Sequence, residues 1–343
     1  MSGGVDSSLT AALLKEQGYD VTGVYMKNWT QNMPGLECPW AEDLADAKRV
    51  AVSLDIDFKV FDFEKEYRHK VVQYMIDEYT LGRTPNPDIM CNQEVKFKLF
   101  LDAAKEDGAD LIATGHYAQT EHKNNTGYLK KAVDKNKDQT YFLYRVTGDA
   151  LRDTLFPIGG FEKSQVRQMA EERGLYTASK KDSQGICFVG QIGIRDFLSQ
   201  FIETTPGDII DKKTGAILGQ HDGAIFYTLG QRHGLDVGGG IPYFVVGKDM
   251  AKNAVYVTTN LNDEKLWLEE IDLTNPSWVN EPPKNGQNYS VRIRHQAPLI
   301  EATYFRDGER EFVKLKEKQR AVTGGQSLVV YDNGYCLGGG IVL

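Results

Sequence analysis

The stretch Ser2-Gly3-Gly4-Val5-Asp6-Ser7-Ser8 decides the fold of this 343-residue chain. Its glycines let backbone N–H groups approach an anion closely, while the serine hydroxyls and the start of a helix add further donors. The string lacks the lysine of a Walker loop and is not a Rossmann fingerprint. A tight turn that caps a helix is the alternative, since Asp and Ser are ordinary cap residues. The complete string favours a phosphate site suited to a triphosphate.

Helical and strand-like segments alternate after this loop. The expected helices cover residues 8–17 (ended by Gly18), 41–54, 64–81 and 94–107, and the expected strands cover 19–26, 58–63 and 111–114. Such alternation predicts an α/β domain whose parallel sheet is joined by crossover helices. A phosphate loop of this kind normally follows a strand, and none precedes Ser2. We therefore expect the first strand of the domain to be missing from the sequence.

The pattern changes near residue 200. Turn signals such as Pro206-Gly-Asp and Gly238-Gly-Gly-Ile-Pro242 separate short β-like runs, and the runs near 289–294, 311–315 and 327–331 continue this pattern. Short strands at regular spacing predict a small barrel. We expect a catalytic domain over residues 1–200, a small central domain over 201–264 and a carboxy-terminal β-barrel over 265–343.

Composition narrows the classes of protein. The chain is 41% hydrophobic and 26% charged, and it shows neither an apolar run of membrane-spanning length nor a signal peptide. Four cysteines without zinc-site spacing indicate a reducing compartment, with the cytoplasm as the default, and no structural metal. The net charge of −8 argues mildly against a nucleic-acid partner, although a local basic face is compatible with it.

Two cysteines, Cys91 and Cys187, lie in distinctive settings. A cysteine carries sulfur only as a thiolate, which a helix N-terminus or nearby cations favour. Cys91 precedes a helix expected to start at residues 92–94, and Cys187 lies in a glycine-containing loop near Lys180 and Lys181. The two other cysteines, Cys38 and Cys336, are expected to be small buried hydrophobic residues.

The opening string resembles the PP-loop of the ATP pyrophosphatases, which have an adenine nucleotide alpha hydrolase-like fold. Within them, the chain is similar over essentially its whole length to the bacterial tRNA 2-thiouridylase family. The strings that carry this resemblance are Met26-Lys-Asn-Trp29, Gly82-Arg-Thr-Pro-Asn-Pro-Asp88, Cys91-Asn-Gln-Glu-Val-Lys-Phe-Lys98, Ala113-Thr-Gly-His-Tyr117, Asn136-Lys-Asp-Gln-Thr-Tyr-Phe-Leu143, Lys181-Asp-Ser-Gln-Gly-Ile-Cys187, Thr228-Leu-Gly-Gln-Arg232 and Cys336-Leu-Gly-Gly-Gly340.

The resemblance implies thiolation at C2 of the wobble uridine of tRNA, with release of AMP and pyrophosphate. It implies that Cys187 carries a persulfide, that Cys91 is a nucleophile, that a Cys91–Cys187 disulfide forms at turnover, and that Asp88 is an acid or base. The presence of two thiols does not by itself show which cysteine carries the persulfide and which is the nucleophile. The implied contacts are with ATP (Ser2, Gly3, Gly4, Val5, Asp6, Ser7, Ser8, Met26 and Gly115), with the target base (Asn86, Pro87 and Asp88) and with tRNA (His116, Lys137, Asp138, Gln139, Arg294, His295 and Gln326).

Mg²⁺ is expected with ATP. The expected partners are tRNA and a persulfide-carrying relay protein or cysteine desulfurase, and the chain is expected to act as a monomer without a membrane. A basic face from Arg292, Arg294, His295 and Arg320 would suit phosphates, although charged strand residues often only face solvent. Likewise His116 would equally suit a buried structural role.

Two alternatives stay open. Another PP-loop enzyme would adenylate a small molecule and need neither paired cysteines nor a barrel. An RNA-binding module would keep the loop for structure only and consume no ATP. A methyltransferase is a weaker interpretation, because no glycine-rich strand of the adenosylmethionine-binding type is present.

Overall fold

A computed structural model describes residues 1–32, 40–181, 193–235, 237–238 and 240–343. Helices dominate the first two hundred residues because apolar side chains recur there at helical spacing. They are α1 (Val5–Glu16), α2 (Trp40–Ser53), α3 (Glu64–Tyr67), α4 (Gln73–Thr80), α5 (Pro87–Met90), α6 (Phe100–Glu106), α7 (Thr140–Leu143), α8 (Gly148–Arg152), α9 (Lys163–Glu172) and α10 (Ile194–Leu198). Gly18, at φ +87°, follows α1 as predicted.

Short strands lie between these helices. They are β1 (Thr22–Lys27), β2 (Asp57–Asp62), β3 (Ile112–Ala113), β4 (Ala118–Lys123), β5 (Thr126–Lys131) and β6 (Thr154–Leu155). Strand β1 pairs with β2 and β3 pairs with β6, both in parallel. The predicted α/β class is therefore confirmed, since parallel neighbours joined through helices define it.

Two longer helical segments contain π-helical turns. Residues Arg68–Val72 join α3 to α4, so that the helix predicted over 64–81 is confirmed as one continuous segment. Residues Cys91–Leu99 join α5 to α6, with a kink at Phe97, whose φ of −105° and ψ of 15° are not helical. The second segment begins at Pro87 and not near residue 94, so the predicted start is wrong. The Asn86 side chain accepts a hydrogen bond from the backbone N–H of Asp88 and caps this helix, with Pro87 in its first position.

The central part of the chain forms a small four-stranded sheet. Its strands are β7 (Gly207–Asp211), β8 (Ile217–His221), β9 (Phe244–Asp249) and β10 (Ala254–Thr258), in the order β8-β7-β10-β9. Their alternate side chains form a separate apolar cluster around Ile209, Val245 and Val255.

The predicted carboxy-terminal barrel is confirmed. Its strands are β11 (Trp267–Trp278), β12 (Asn288–Arg292), β13 (Ile300–Asp307), β14 (Arg310–Arg320), β15 (Ser327–Asp332) and β16 (Tyr335–Val342). Neighbouring strands follow the order β11-β14-β13-β12-β15-β16, and β11 also pairs with β16, which closes the barrel. Buried Val291, Val313 and Leu328 belong to its interior cluster.

The β4–β5 hairpin joins this barrel to the amino-terminal part. Strand β5 pairs with β16, Cys336 lying opposite Leu129. One apolar cluster accordingly includes Leu129 and Tyr141 together with Tyr331 of the barrel. Across the same boundary, the Asp138 carboxylate lies 3.2 Å from the Arg292 guanidinium, and both side chains are almost completely buried. The amino-terminal part and the barrel therefore share a core.

Within the described ranges, none of the helices has the length and apolar character that crossing a membrane requires.

Candidate active site

The glycine loop turns directly into α1. Gly3 has a φ of +71°, and a Cβ there would lie 2.6 Å from the backbone oxygen of Asp43. Gly4 is extended and precedes the helix. The Ser7 and Ser8 hydroxyls donate to the Gly4 carbonyl over 3.1 and 2.8 Å. The start of α1 at Gly4 carries no side-chain cap, so its backbone N–H groups can serve an anion.

Asp6 of the loop is held from two sides. Its carboxylate accepts a hydrogen bond from the Tyr117 hydroxyl at 2.9 Å. The Lys163 ammonium lies 2.8 and 2.9 Å from its two oxygens, and the Lys163 side chain is only 12% exposed. The pair places a cation beside the anion cradle, where it can attract a phosphate.

Gly115 packs on the first turn of α1. A Cβ at this position would lie 2.8 Å from both the Asp6 carbonyl carbon and the Ser7 nitrogen. Only glycine allows this approach. Met26 lies near the carboxyl end of β1, half-buried and packed against the main apolar cluster. The predicted ATP contacts of Gly115 and Met26 remain predictions.

Lys180 has carboxylate partners of its own. Its ammonium lies 2.9 Å from Asp43 and 2.7 Å from Asp46. Burial opposes ionisation of Asp46, but the hydrogen bonds and charges of Lys180, Tyr176 and Arg49 together outweigh burial and lower the pKa of the carboxyl. The cation that the sequence assigned to Cys187 is therefore shared with two aspartates. Cys187 lies outside the described residues, as does Cys38.

The segment from Asn86 to Leu99, which we call the target-base helix after its predicted contacts, carries the other predicted groups. Asp88 and Cys91 are three residues apart and so share one face. Cys91 is 2% exposed and packs in an apolar cluster with Trp29 and Phe197. It is the fifth helical residue, whereas the effect of a helix N-terminus falls off within the first turn. The predicted N-terminal position of Cys91 is therefore wrong, and its nucleophilic role remains a prediction.

Asn92 and His295 connect this helix to the barrel. The Asn92 amide donates to the Phe142 carbonyl at 2.9 Å, and the His295 ring lies 4.3 Å from the Phe142 ring, centroid to centroid. Burial and the neighbouring Arg292 lower the pKa of His295. Arg294, which follows β12, is exposed. Through Phe142, His295 thus lies close to the segment that contains Cys91.

Several residues predicted to contact tRNA are engaged within the protein. His116 is 8% exposed, bonds Thr114 at 2.8 Å and packs between Phe97 and Phe156. Burial, and then Lys96, lowers the pKa of His116 well below its ordinary value. These contacts favour the structural role that the sequence left open.

The loop before α7 is tied down in a similar way. Asp138 pairs with Arg292 in the interior. Arg292 therefore does not belong to an exposed basic face, and its predicted place there is wrong. The Gln139 side chain accepts from the backbone N–H of Tyr117 at 2.8 Å, whereas Lys137 is half-exposed. RNA contacts by these residues remain predictions.

Cys336 agrees with its expected structural role. It is 2% exposed in β16, and burial raises the pKa of its thiol. An inert buried thiol is the ordinary case.

Comparison with known proteins covers the chain from end to end. Family models match in sequence order: the tRNA methyl transferase HUP domain at residues 1–191, the tRNA methyl transferase PRC-barrel domain at 195–259 and the Aminomethyltransferase beta-barrel domain at 268–342. The tRNA-specific 2-thiouridylase MnmA of Bacillus subtilis is 47% identical, and that of Enterococcus faecalis is 46% identical. Each match covers all of this chain and 93% of the relative.

The chain belongs to the tRNA-specific 2-thiouridylase family. Sequence patterns indicated three parts of the candidate site, namely the glycine loop, Gly115 and the segment from Asn86 to Cys91. They did not indicate Lys163, which lies 157 residues from Asp6 along the chain. They also did not show that Gln326 reaches Thr84, whose carbonyl accepts from the Gln326 side chain at 2.7 Å. Neither contact has a local sequence signal.

Proposed function

We propose that this chain uses ATP to convert the wobble uridine of tRNA to 2-thiouridine. The observation that carries the proposal is the full-length match to relatives named as tRNA-specific 2-thiouridylases, at 46–47% identity. The fold supports it, because one domain holds both an anion cradle and the helix with Asp88 and Cys91.

The first step makes the uridine oxygen a leaving group. The C2 oxygen attacks the α-phosphorus of ATP, and pyrophosphate departs toward the loop from Ser2 to Ser8, beside Lys163. Asp88 accepts the N3 proton as the oxygen attacks, with Asn86 and Pro87 bounding the base. Positioned donors and a general base are the usual means of lowering such a barrier.

The second step replaces oxygen by sulfur. The terminal sulfur of a Cys187 persulfide attacks C2, AMP leaves, and C2 is joined to Cys187 through two sulfurs. The Cys91 thiolate then attacks the Cys187 sulfur. The S–S electron pair goes to the sulfur on C2, which gives 2-thiouridine and a Cys91–Cys187 disulfide. A thiol reductant restores both cysteines before a relay protein or desulfurase supplies the next persulfide.

Mg²⁺ would accompany ATP. Among the described residues there is no cluster of three or more side chains that could hold a metal. Mg²⁺ commonly relies on phosphate oxygens and water with one or two carboxylates. The cradle therefore fits a metal bound mainly through the nucleotide, whose charge it would neutralise.

The barrel and the loop before α7 supply the RNA surface in this proposal. Exposed Arg294 contacts phosphate, and His295, Gln326, Lys137 and Gln139 lie toward the same substrate. Asp138 acts by holding Arg292, and His116 by supporting the loop around Gly115. We propose that the chain works as a cytoplasmic monomer.

The test is thiolation of unmodified tRNA with ATP and a persulfide donor, with 2-thiouridine measured by mass spectrometry and pyrophosphate measured in parallel. Wild-type protein should form both products. Cys91→Ala and Cys187→Ala should form no 2-thiouridine, while Cys336→Ala serves as the matched control and should remain active. Full activity in either of the first two variants would refute the mechanism.

The same assay separates the alternatives. A small-molecule ligase would release pyrophosphate without tRNA and tolerate Ser at both cysteines. A binding module would retain tRNA without consuming ATP. Transfer of a methyl group, which the names of the matched domains mention, would require adenosylmethionine and would replace a hydrogen by a methyl group, a net mass gain of CH2.

A further inference from the structure

Thr84 lies two residues before the cap of the target-base helix, and all three of its polar groups bond to other domains. Its N–H donates to the Gly324 carbonyl at 2.9 Å, and its carbonyl accepts from Gln326 at 2.7 Å. Its hydroxyl shares a hydrogen bond of 3.2 Å with the hydroxyl of Thr228. The barrel therefore holds the backbone, and the central domain holds the side chain.

The two partner segments also contact each other. Gly230 of the central domain has a φ of +79°, and a Cβ there would lie 2.4 Å from the Cβ of Ala321. A Cβ on Gly325 would lie 2.7 Å from the Thr84 nitrogen. We call Thr84, Thr228, Gly230 and residues 321–326 the three-domain junction. These close approaches leave no room for a side chain at Gly230 or Gly325.

The junction fixes where the target-base helix starts. Pro85 restricts Thr84 to extended backbone, and Pro87 fixes the first helical residue. At most about 3.6 Å per residue separates successive positions, so Asn86 lies within about 7 Å of Thr84. Upstream, the Arg83 guanidinium makes two hydrogen bonds with the Glu78 carboxylate. A short, stiff segment anchored on both sides has little freedom.

The junction also continues to the RNA-facing side of the barrel. The exposed Arg294 guanidinium lies 3.5 Å from the Arg320 carbonyl, at the end of β14 and directly before residue 321. A continuous network of hydrogen bonds and packed backbone can couple the position of Thr84 to that of Arg294.

We propose that Thr84 is a positioning residue, through which Thr228 and Gln326 set the place of Asn86, Pro87 and Asp88 relative to the target base. The inference rests on the proposed function. It assigns to the Gln326 side-chain nitrogen a role within the protein, toward Thr84. The central domain thereby contributes to the position of the site through Thr228.

Two measurements test the proposal. Thr84→Val and Thr228→Val keep the side-chain shape but remove the shared hydrogen bond. Each should slow thiolation at saturating tRNA about tenfold, which is the effect of about 1.4 kcal/mol on a rate, with tRNA Kd changed less than twofold. The double variant should be no slower than either single variant, because both changes remove one interaction. Thr84→Ser should restore the wild-type rate.

Amide hydrogen exchange provides a readout that does not depend on activity. In Thr228→Val the amides of Asp88, Ile89 and Met90 should exchange about tenfold faster, while those of the β4–β5 hairpin stay unchanged. Thr258→Val is the matched control, because Thr258 is buried in the same domain and its hydroxyl bonds Asn260 instead. Unchanged exchange at residues 88–90, or a rate that falls only through tRNA Kd, would overturn the positioning role. Failure of the wild-type protein to thiolate tRNA would refute the proposed function. The exchange result would still show whether Thr228 holds residues 88–90 in place.

Discussion

The Lys163 ammonium lies 2.8 Å from the Asp6 carboxylate, and this pair joins the start of α9 to the first turn of α1. Tyr117 bonds the same carboxylate and stands next to His116 in the chain. Three distant segments thus converge on the anion cradle. Their convergence accounts for the orientation of Asp6 and for a cation beside the cradle.

Lys163→Met should weaken ATP use. In the proposed site the Lys163 ammonium also donates to a phosphate oxygen of ATP, and such a charge-assisted hydrogen bond is worth about 1.5–3 kcal/mol. Its loss should lower kcat/KM for ATP about 10- to 100-fold in a pyrophosphate-release assay. Lys15→Met, which removes a more exposed lysine of the same domain, should change little. Equal kinetics in both variants would show that Lys163 serves only the fold.

Gly115→Ala should damage the same site by crowding. Its methyl group would meet the Asp6 and Ser7 backbone at 2.8 Å, so the first turn of α1 must move. We expect ATP affinity, measured by calorimetry, to drop at least tenfold. Gly160→Ala is the control, since a Cβ at Gly160 meets no heavy atom within 4 Å among the described residues. Undiminished ATP affinity in Gly115→Ala would contradict the packing argument.

Asp138→Ala should destabilise the whole chain. The change leaves Arg292 buried without its carboxylate, which costs about 3–5 kcal/mol. Urea denaturation should show this loss as a lower midpoint with a similar slope. The variant carrying both Asp138→Leu and Arg292→Met should recover much of the lost free energy of unfolding, because no charge then stays buried. A double variant as unstable as Asp138→Ala would argue against the ion pair as the cause.

His116 should make stability depend on pH. Because burial lowers its pKa well below 6.5, the unfolded chain binds a proton that the folded chain does not bind as the pH falls below 6.5. Stability should therefore decrease below pH 6.5, by at most about 1.4 kcal/mol per pH unit for this group. In urea denaturation at pH 7.5 and 5.5, His116→Gln should reduce the difference, and the exposed control His69→Gln should not. Identical pH dependence in all three proteins would exclude this origin.

Local sequence patterns predicted the elements but not their contacts. The glycine loop, the helix ended by Gly18 and the barrel strands all depend on neighbouring residues, so their types were readable from the sequence. The start of the target-base helix had a readable signal too, since Asn86 and Pro87 are favoured at the cap and first position. The helix start predicted near residue 94 relies on the acidic Glu94, which pairs with Lys70 and Lys98 from inside the helix.

The features that the sequence did not predict are contacts between segments that are distant along the chain. Arg292 and Asp138 each looked like surface charges in a polar run, and only the folded arrangement shows that they neutralise each other in the interior. The sequence of the β4–β5 hairpin likewise does not indicate that β5 pairs with β16. Such pairings depend on three-dimensional complementarity, which single-sequence patterns do not encode.

The pairing of β5 with β16 makes the boundary between the amino-terminal part and the barrel unsuitable for cutting the gene in two. Expressed by itself, residues 1–200 would expose the free side of a hairpin together with Leu129 and Tyr141, surfaces that promote self-association. Engineering of this thiouridylase therefore has to treat the hairpin and the barrel as a single folding unit.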